Sequence, residues 1–416
     1  MPKPIIQLAL LCVVFGLSTT KVLAASTPWW QFQAVDTMKY SRDLSGQLLR
    51  DPDTLQKMTE TQVAVIADLG ATHVAIATPY DEEFLPVLKQ WVVAARRHGL
   101  KVWFRGNWSG WEEWFDHSPI TRAEHLAKTA EFIQKNPDLF ENGDFFSACP
   151  ECENGGPGDP RQTGDITGHR KFLIDEHDAM LAAFRSINKN VQVSMNSMNG
   201  DVARAIMDKQ TTQALGGVVV IDHYVRTPEQ LNKDVTDFAE RTGGRVILGE
   251  FGAPIPDING VMDQDQQADW LGRSLALLSE NPNLDGLSYW TNQGGSTALW
   301  TEGGEPKKAV TVVKSFFSPR AINGQVITEN GKGIITATIR TERQQVTSKD
   351  KGNFFLPYLS ESEVATISAA GYTEREIPVS ILEKNSDIIL FRDKTGWWDQ
   401  LYVRLLDWFK WWMSNS

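Results

Sequence analysis

Arg245-Val-Ile-Leu-Gly-Glu250-Phe-Gly252 is a short apolar run closed by an acid, and Asp144-Phe-Phe-Ser-Ala-Cys-Pro-Glu151 makes the same arrangement about a hundred residues earlier. Outward from these two runs, between Trp30 and Phe317, one pattern recurs: a β-branched or aromatic run, a loop, then an amphipathic helical segment. Strands are predicted over 31–35, 72–77, 101–104, 144–149, 191–195, 217–221, 245–249 and 286–290. Helices are predicted over 53–69, 82–98, 121–135, 168–187, 201–209, 228–242, 264–279 and 307–316. Eight alternations fit an α/β protein of the closed (β/α)8 TIM-barrel type better than an open doubly wound sheet, which usually stops at five to seven strands. No Gly-x-Gly-x-x-Gly turn follows the first strand, so nothing points to a dinucleotide. In such a barrel both acids arrive at the C-terminal rim, where catalytic residues sit.

The flanks read differently. Residues 1–24 have the form of a secretory signal peptide: Lys3, an apolar stretch from Ile5 to Leu17 too short to span a bilayer, and Val22-Leu-Ala24 as a cleavage site. An uncleaved anchor is the alternative. A secreted or periplasmic location is therefore expected, and the barrel should occupy 25–318. After Pro319 the period shortens to alternating strands at 325–327, 334–340, 345–347, 353–356, 363–368, 376–379 and 387–390, punctuated by Asn330-Gly, Lys351-Gly and Gly371-Tyr. This predicts a small all-β sandwich over 319–392. Residues 393–416 form a Trp-rich C-terminal tail. Drawn as an amphipathic helix from Trp397 to Met413, it confines Gln400, Arg404, Asp407 and Lys410 to a narrow stripe. At about 25 Å it is too short and too charged to cross a membrane, so peripheral membrane contact is expected, with docking onto the barrel or a partner as the alternative.

With 416 residues, 41% hydrophobic and 22% charged, the chain can bury one large core and a smaller module. A formal net charge of -11 and scattered Lys and Arg exclude nucleic acid as a partner and favour a neutral or weakly charged substrate. Cys149 and Cys152 bracket Glu151, and no second Cys pair completes a zinc site. No metal or other cofactor is expected. The two thiols either close a local disulfide, which requires a turn beginning at Pro150, or pack as two small buried side chains.

Two carboxylates facing one cleft suffice to break a glycosidic bond, one protonating the leaving oxygen while the other attacks or activates water. Four strand ends carry a family resemblance: Glu151, the Asp222-His223-Tyr224 element, Gly249-Glu250-Phe251-Gly252, and Trp290 within Ser288-Tyr-Trp-Thr. Together they resemble clan A of the glycoside hydrolases, the retaining (β/α)8 enzymes that include cellulases, mannanases and β-galactosidases. The resemblance implies Glu250 as nucleophile and Glu151 as acid/base, Tyr224 orienting Glu250, and His223 meeting the sugar or the acid/base. Pro150 departs from the pattern, since most members carry Asn there. Glu153 is the alternative acid/base; it has the same strand parity but lies beyond the strand, where pairing with Arg161 or Arg170 would make it structural. The sandwich resembles carboxypeptidase regulatory-like domains in Gly324-x-Val326, Gly331-x-Gly333, Asp350-Lys-Gly352-Asn-Phe354 and Ala369-Ala-Gly371-Tyr372, which implies a non-catalytic module.

Arg105, directly after Val102-Trp-Phe, is placed to hold the nucleophile or to bind substrate. Trp108, Trp111, Trp114, Trp290 and Trp300 offer flat rings for sugar faces, whereas Trp91 and Trp270 lie within helical patterns and read as packing. Asn196, Asn199, Asn292 and Gln293 bind hydroxyls or serve turns. The predicted function is retaining O-glycoside hydrolysis of a β-linked polysaccharide or oligosaccharide; a catalytically inactive carbohydrate-binding pseudoenzyme of the same fold is the alternative. A metal-dependent barrel hydrolase is disfavoured because no His-x-His follows the first strand.

Overall fold

The computed structural model describes residues 28–393, 404–408 and 410–412. The predicted signal peptide lies outside the described residues, as does most of the tail.

Eight parallel strands form one sheet in the order β4-β3-β2-β1-β8-β7-β6-β5: β1 Phe32–Asp36, β2 His73–Ile76, β3 Lys101–Phe104, β4 Phe145–Phe146, β5 Ser197–Asn199, β6 Val218–Asp222, β7 Arg245–Phe251 and β8 Leu284–Tyr289. A parallel bridge between Phe145 and Gln192 joins the two ends and closes the barrel. The helices follow the predicted periodicity, and their ends carry local signals. Thr121 with Glu124 and Asp263 with Gln266 form capping boxes at Arg122–Lys135 and Gln264–Glu280. Asp51 and Thr227 cap helices that begin with Pro52 and Pro228.

Two predicted strands differ from those observed. The strand expected over 144–149 is paired only at Phe145–Phe146, and the one expected over 191–195 appears instead at Ser197–Asn199. Side chains displace the ladder here. Ser147 Oγ donates to the Met195 carbonyl and accepts from Trp103 Nε1, while Asp144 accepts from Arg96 and from the Val102 amide.

Inside the barrel, Phe32, Ala34, Ala75, Trp103, Met195, Val220 and Ile247 make a dry layer, with Phe32 edge-on to Trp103. Along β1, β3 and β6 the next inward positions after Ala34, Trp103 and Val220 are Asp36, Arg105 and Asp222, because side chains alternate along a strand. The apolar layer therefore forms the floor of a charged one.

From Arg320 onward, all seven expected strands form two sheets. β9 Arg320–Thr328, β12 Asn353–Tyr358 and β15 Asp387–Leu390 make one, in the order β12-β9-β15. β10 Thr338–Arg340, β11 Gln345–Thr347, β13 Val364–Ser368 and β14 Arg375–Pro378 make the other, in the order β11-β10-β13-β14. Val326, Leu356 and Leu390 of the first sheet share a core with Ile339 and Ile367 of the second.

Candidate active site

Glu250 lies within β7, and its orientation comes from an irregularity. The β6–β7 register shifts between Ile221 and Asp222, so Asp222 of β6 pairs with Glu250 rather than Gly249, and the β7–β8 register shifts between Leu248 and Phe251. A Cβ on Gly249 would lie 2.4 Å from Asp222 Oδ1 and 3.1 Å from Ser197 Cβ, so only glycine lets these strand ends close up. Arg105 Nη1 donates to Glu250 Oε1 and Tyr224 Oη donates to Oε2 at 2.6 Å. The same guanidinium donates to Asp36 Oδ2 at 3.0 Å, Asp222 Oδ2 at 2.5 Å and Ser197 Oγ at 3.2 Å, and sits over the Trp103 ring.

Glu151 completes the cluster. One carboxylate oxygen each of Glu151, Asp222 and Glu250 lie within 4.8 Å of one another. Such spacing also suits a cation, but Arg105 already lies against two of the three acids and supplies positive charge there. Four carboxyl groups around one guanidinium cannot all be ionised cheaply in a buried site. Burial, reinforced by the charges of Glu250 and Asp222, pushes the Glu151 carboxyl well above its ordinary range. Burial likewise raises Asp222 to about 8 and Asp36 to about 6, against the opposing pull of Arg105. The cluster thus retains protons at neutral pH, next to a Glu250 whose two carboxylate oxygens each accept from a donor, Arg105 on one and Tyr224 on the other.

Glu153 stands apart from this group. Its Oε1 accepts from the Asn199 amide at 2.7 Å and from Asn199 Nδ2 at 3.1 Å. The partners expected for it are engaged elsewhere, Arg161 with Asp159 and Arg170 with Asp208.

Beside Glu151 the cleft is lined by Arg42, Asn107, Glu112, Trp114 and Pro150. Trp290 stands edge-on to Tyr224, the tyrosine that donates to Glu250, with Lys39 Nζ 5.7 Å from its ring. Trp114 stacks under Arg42. Glu112 accepts from Asn107 Nδ2 at 2.8 Å, and burial raises its carboxyl to about 7.

Arg105 lines the cleft beside Glu151 but is 1% exposed, and its donors go to the carboxylates, including Glu250, the first of the two roles expected for it. Several other residues expected at the cleft lie elsewhere. Trp108 and Trp111 are buried: Trp108 Nε1 donates to Thr129, and the Trp111 indole stacks on Phe172. The short helix Ser109–Glu112 turns them inward and leaves Trp114 facing the cleft. His223 points away from the acids, with Nε2 2.7 Å from Asp234. Trp300 is buried, Asn292 donates to Gln62, and Gln293 donates to the Thr301 carbonyl. Cys149 and Cys152 are joined in a disulfide.

Sequence reasoning missed Asp36, Ser197 and Glu112. Asp36 had a usable signal, an acid closing the strand Phe-Gln-Ala-Val-Asp on the inward parity; Ser197 and Glu112 had none beyond their distant partners.

No protein-family model matches the chain, and no curated protein does. Among solved structures, the chain is similar to fungal β-1,4-galactanases, at 15% identity over 68% of this chain and 99% of that one, with a TM-score of 0.49. A β-glycosidase is similar at 14% identity, covering 70% of this chain and 95% of the other, with a TM-score of 0.46. A Bacteroides uniformis β-glucuronidase matches at 9% identity over 81% of this chain, with a TM-score of 0.44. The chain spans about half the length of the β-glucuronidases it matches. Strand order, closure and the helices between the strands establish the architecture as a (β/α)8 barrel followed by small β sheets.

Proposed function

We propose that the protein is a retaining O-glycoside hydrolase acting on a β-linked polysaccharide or oligosaccharide by double displacement. The observation that carries this reading is the closeness of the Glu151 and Glu250 carboxylates, 4.8 Å or less between oxygens, at the C-terminal ends of barrel strands. Retaining enzymes hold their two carboxyl groups about 5 to 5.5 Å apart, leaving no room for an intervening water. Glu250 attacks the anomeric carbon while Glu151, kept protonated by burial and its acidic neighbours, gives its proton to the departing oxygen. Glu151 then takes a proton from water, which displaces Glu250 from the sugar. Arg105, Asp36 and Asp222 set the charge around the nucleophile; Trp290 and Trp114 offer ring faces to the sugar.

We further read the β sheets from Arg320 onward as a non-catalytic appendage of a secreted or periplasmic enzyme, and the tail as a peripheral membrane contact. Leu405, Trp408, Trp411 and Trp412 are each more than half exposed on helical segments, a pattern suited to the headgroup boundary.

The test is an assay against β-linked polysaccharides and aryl β-glycosides, with anomeric stereochemistry followed by NMR. Retained configuration in the first-formed product is expected. Inversion would remove the double displacement, and sugar binding without cleavage would make the protein a carbohydrate-binding pseudoenzyme.

A further inference from the structure

The two glutamates reach one cleft by different means. Glu250 lies within β7, where pairing to β6 and β8 fixes the backbone. Glu151 has no such ladder, because β4 ends at Phe146. Its backbone instead sits at φ 46°, ψ 50°, in the left-handed region that a residue with a side chain rarely adopts. The Glu151 amide donates to the Ser197 carbonyl at 2.8 Å, and its own carbonyl accepts from the Asn154 amide at 2.8 Å within the local turn, so a single backbone bond ties it to the neighbouring barrel segment.

Around this residue the chain is closed into a small ring. Cys149 and Cys152 are disulfide-bonded with Cα atoms 5.1 Å apart, and both are buried. Only Pro150 and Glu151 lie between them, and Pro150 has its own φ locked by its side chain. The ring is seated on the loop after β3: Trp111 Nε1 donates to the Cys152 carbonyl at 3.2 Å, and Asn107 Nδ2 lies 3.8 Å from Cys149 Sγ. A cross-link between residues three apart restrains the unfolded chain very little, since that gain grows with loop length. Stabilising the whole fold is therefore not what this bond does best.

We propose that the Cys149–Cys152 disulfide is a positioning element for proton transfer: it replaces the missing strand ladder and holds Glu151 in the conformation that brings its carboxyl to Glu250. The proposal rests on the glycosidase reading, with Glu151 as the acid. Opening the disulfide lets Glu151 relax to an ordinary backbone conformation and carries its proton away from the leaving oxygen. The nucleophile, held by β7, Arg105 and Tyr224, is unaffected. Cleavage of substrates that need acid assistance then depends on an oxidising compartment.

The experiment compares kcat/KM for matched dinitrophenyl and phenyl β-glycosides of glucose, galactose, mannose and glucuronic acid. The proteins are the full chain, the Cys149→Ser/Cys152→Ser variant, and the full chain after reduction and thiol capping, verified by mass. Circular dichroism checks the fold, and the reduced protein carries the comparison if the variant does not fold. General acid catalysis contributes about 10²–10⁴-fold and is dispensable for a good leaving group. Opening the disulfide should therefore lower kcat/KM on the phenyl glycoside by at least about thirtyfold and on the dinitrophenyl glycoside by no more than about threefold. Equal losses on both, or no loss on either, would overturn the proposal while leaving the glycosidase reading intact. An unmodified protein that cleaves none of these glycosides and none of the β-linked polysaccharides would overturn that reading, and this proposal with it.

Discussion

Tyr224 Oη lies 2.6 Å from Glu250 Oε2, while Arg105 engages the other oxygen. Both oxygens of the proposed nucleophile therefore have a donor, which restricts rotation of the carboxylate and spreads its charge. Glu250→Gln should fold normally and lose turnover by at least about a thousandfold, because the amide cannot form a glycosyl ester. Tyr224→Phe removes one hydrogen bond to a charged group and should cost about ten- to a hundredfold in kcat/KM. Steady-state kinetics beside thermal melts checks both.

Glu151 and Glu153 are separated by the same chemistry. Glu151→Gln should lose about 10²–10⁴-fold on a poor leaving group and far less on a good one. Glu153→Gln disturbs the bonds to Asn199 and should lose activity equally on both. If Glu153→Gln alone shows the leaving-group dependence, Glu153 is the acid.

The charged layer predicts an unusual pH dependence of stability. Asp222 is held at about 8 in the folded protein against an ordinary value of 3.8, so unfolding releases a proton across that window. Its contribution is fully present below about pH 4 and is lost as pH rises toward 8, with a limiting slope of about 1.4 kcal/mol per pH unit for one proton. Chemical denaturation at several pH values should show Asp222→Asn flattening this fall. A wild type whose stability has the same slope as the variant would exclude the retained proton.

Gly249→Ala tests the close approach of the strand ends. The added Cβ meets Asp222 Oδ1 at 2.4 Å, and Asp222 is locked to Arg105. Overpacking of this kind costs about 1–3 kcal/mol, and the displaced carboxylates should lower kcat as well. An alanine variant with unchanged melting temperature and unchanged kcat would remove this account of the glycine.

Where the pattern was local, the sequence was readable. The runs around Val246 and Val219 announced strands because nearly every residue after their first position is buried and apolar, and the short punctuated strands after Pro319 announced sheets. The burial of Trp108 and Trp111 was not legible, because it depends on distant surfaces. A Cβ on Gly156 would lie 2.4 Å from Trp111 Cζ2, so a glycine turn forty-odd residues away shapes the indole's seat. Arg105 was ambiguous for a similar reason: its role is decided by Asp36 and Asp222, which only the closed barrel brings together. The ends of β4 and β5 were misjudged because side-chain bonds from Ser147 and Asp144 replace backbone ones there.

Truncation after Arg392 tests the tail. Removal of an interfacial anchor should leave the melting temperature nearly unchanged and release the protein from liposomes. Equal liposome binding with and without the tail, or marked destabilisation on its removal, would refute the membrane contact.

The closure between β4 and β5 sets where the barrel opens first. Apart from the short β3–β4 pairing, its other strands are joined by runs of paired residues, but here the join is a scattered set of backbone bonds: Gly143 N–H to Asn190 O at 2.9 Å, Phe146 N–H to Gln192 O at 2.9 Å, Gln192 N–H to Asp144 O at 2.8 Å and Glu151 N–H to Ser197 O at 2.8 Å. Local opening follows the number of backbone bonds that must break together. Amide protons along this seam should therefore exchange with solvent sooner than those of Val219 or Val246. The seam runs directly up to Glu151, so the most rigidly latched residue of the cleft stands at the end of the barrel's most easily parted joint.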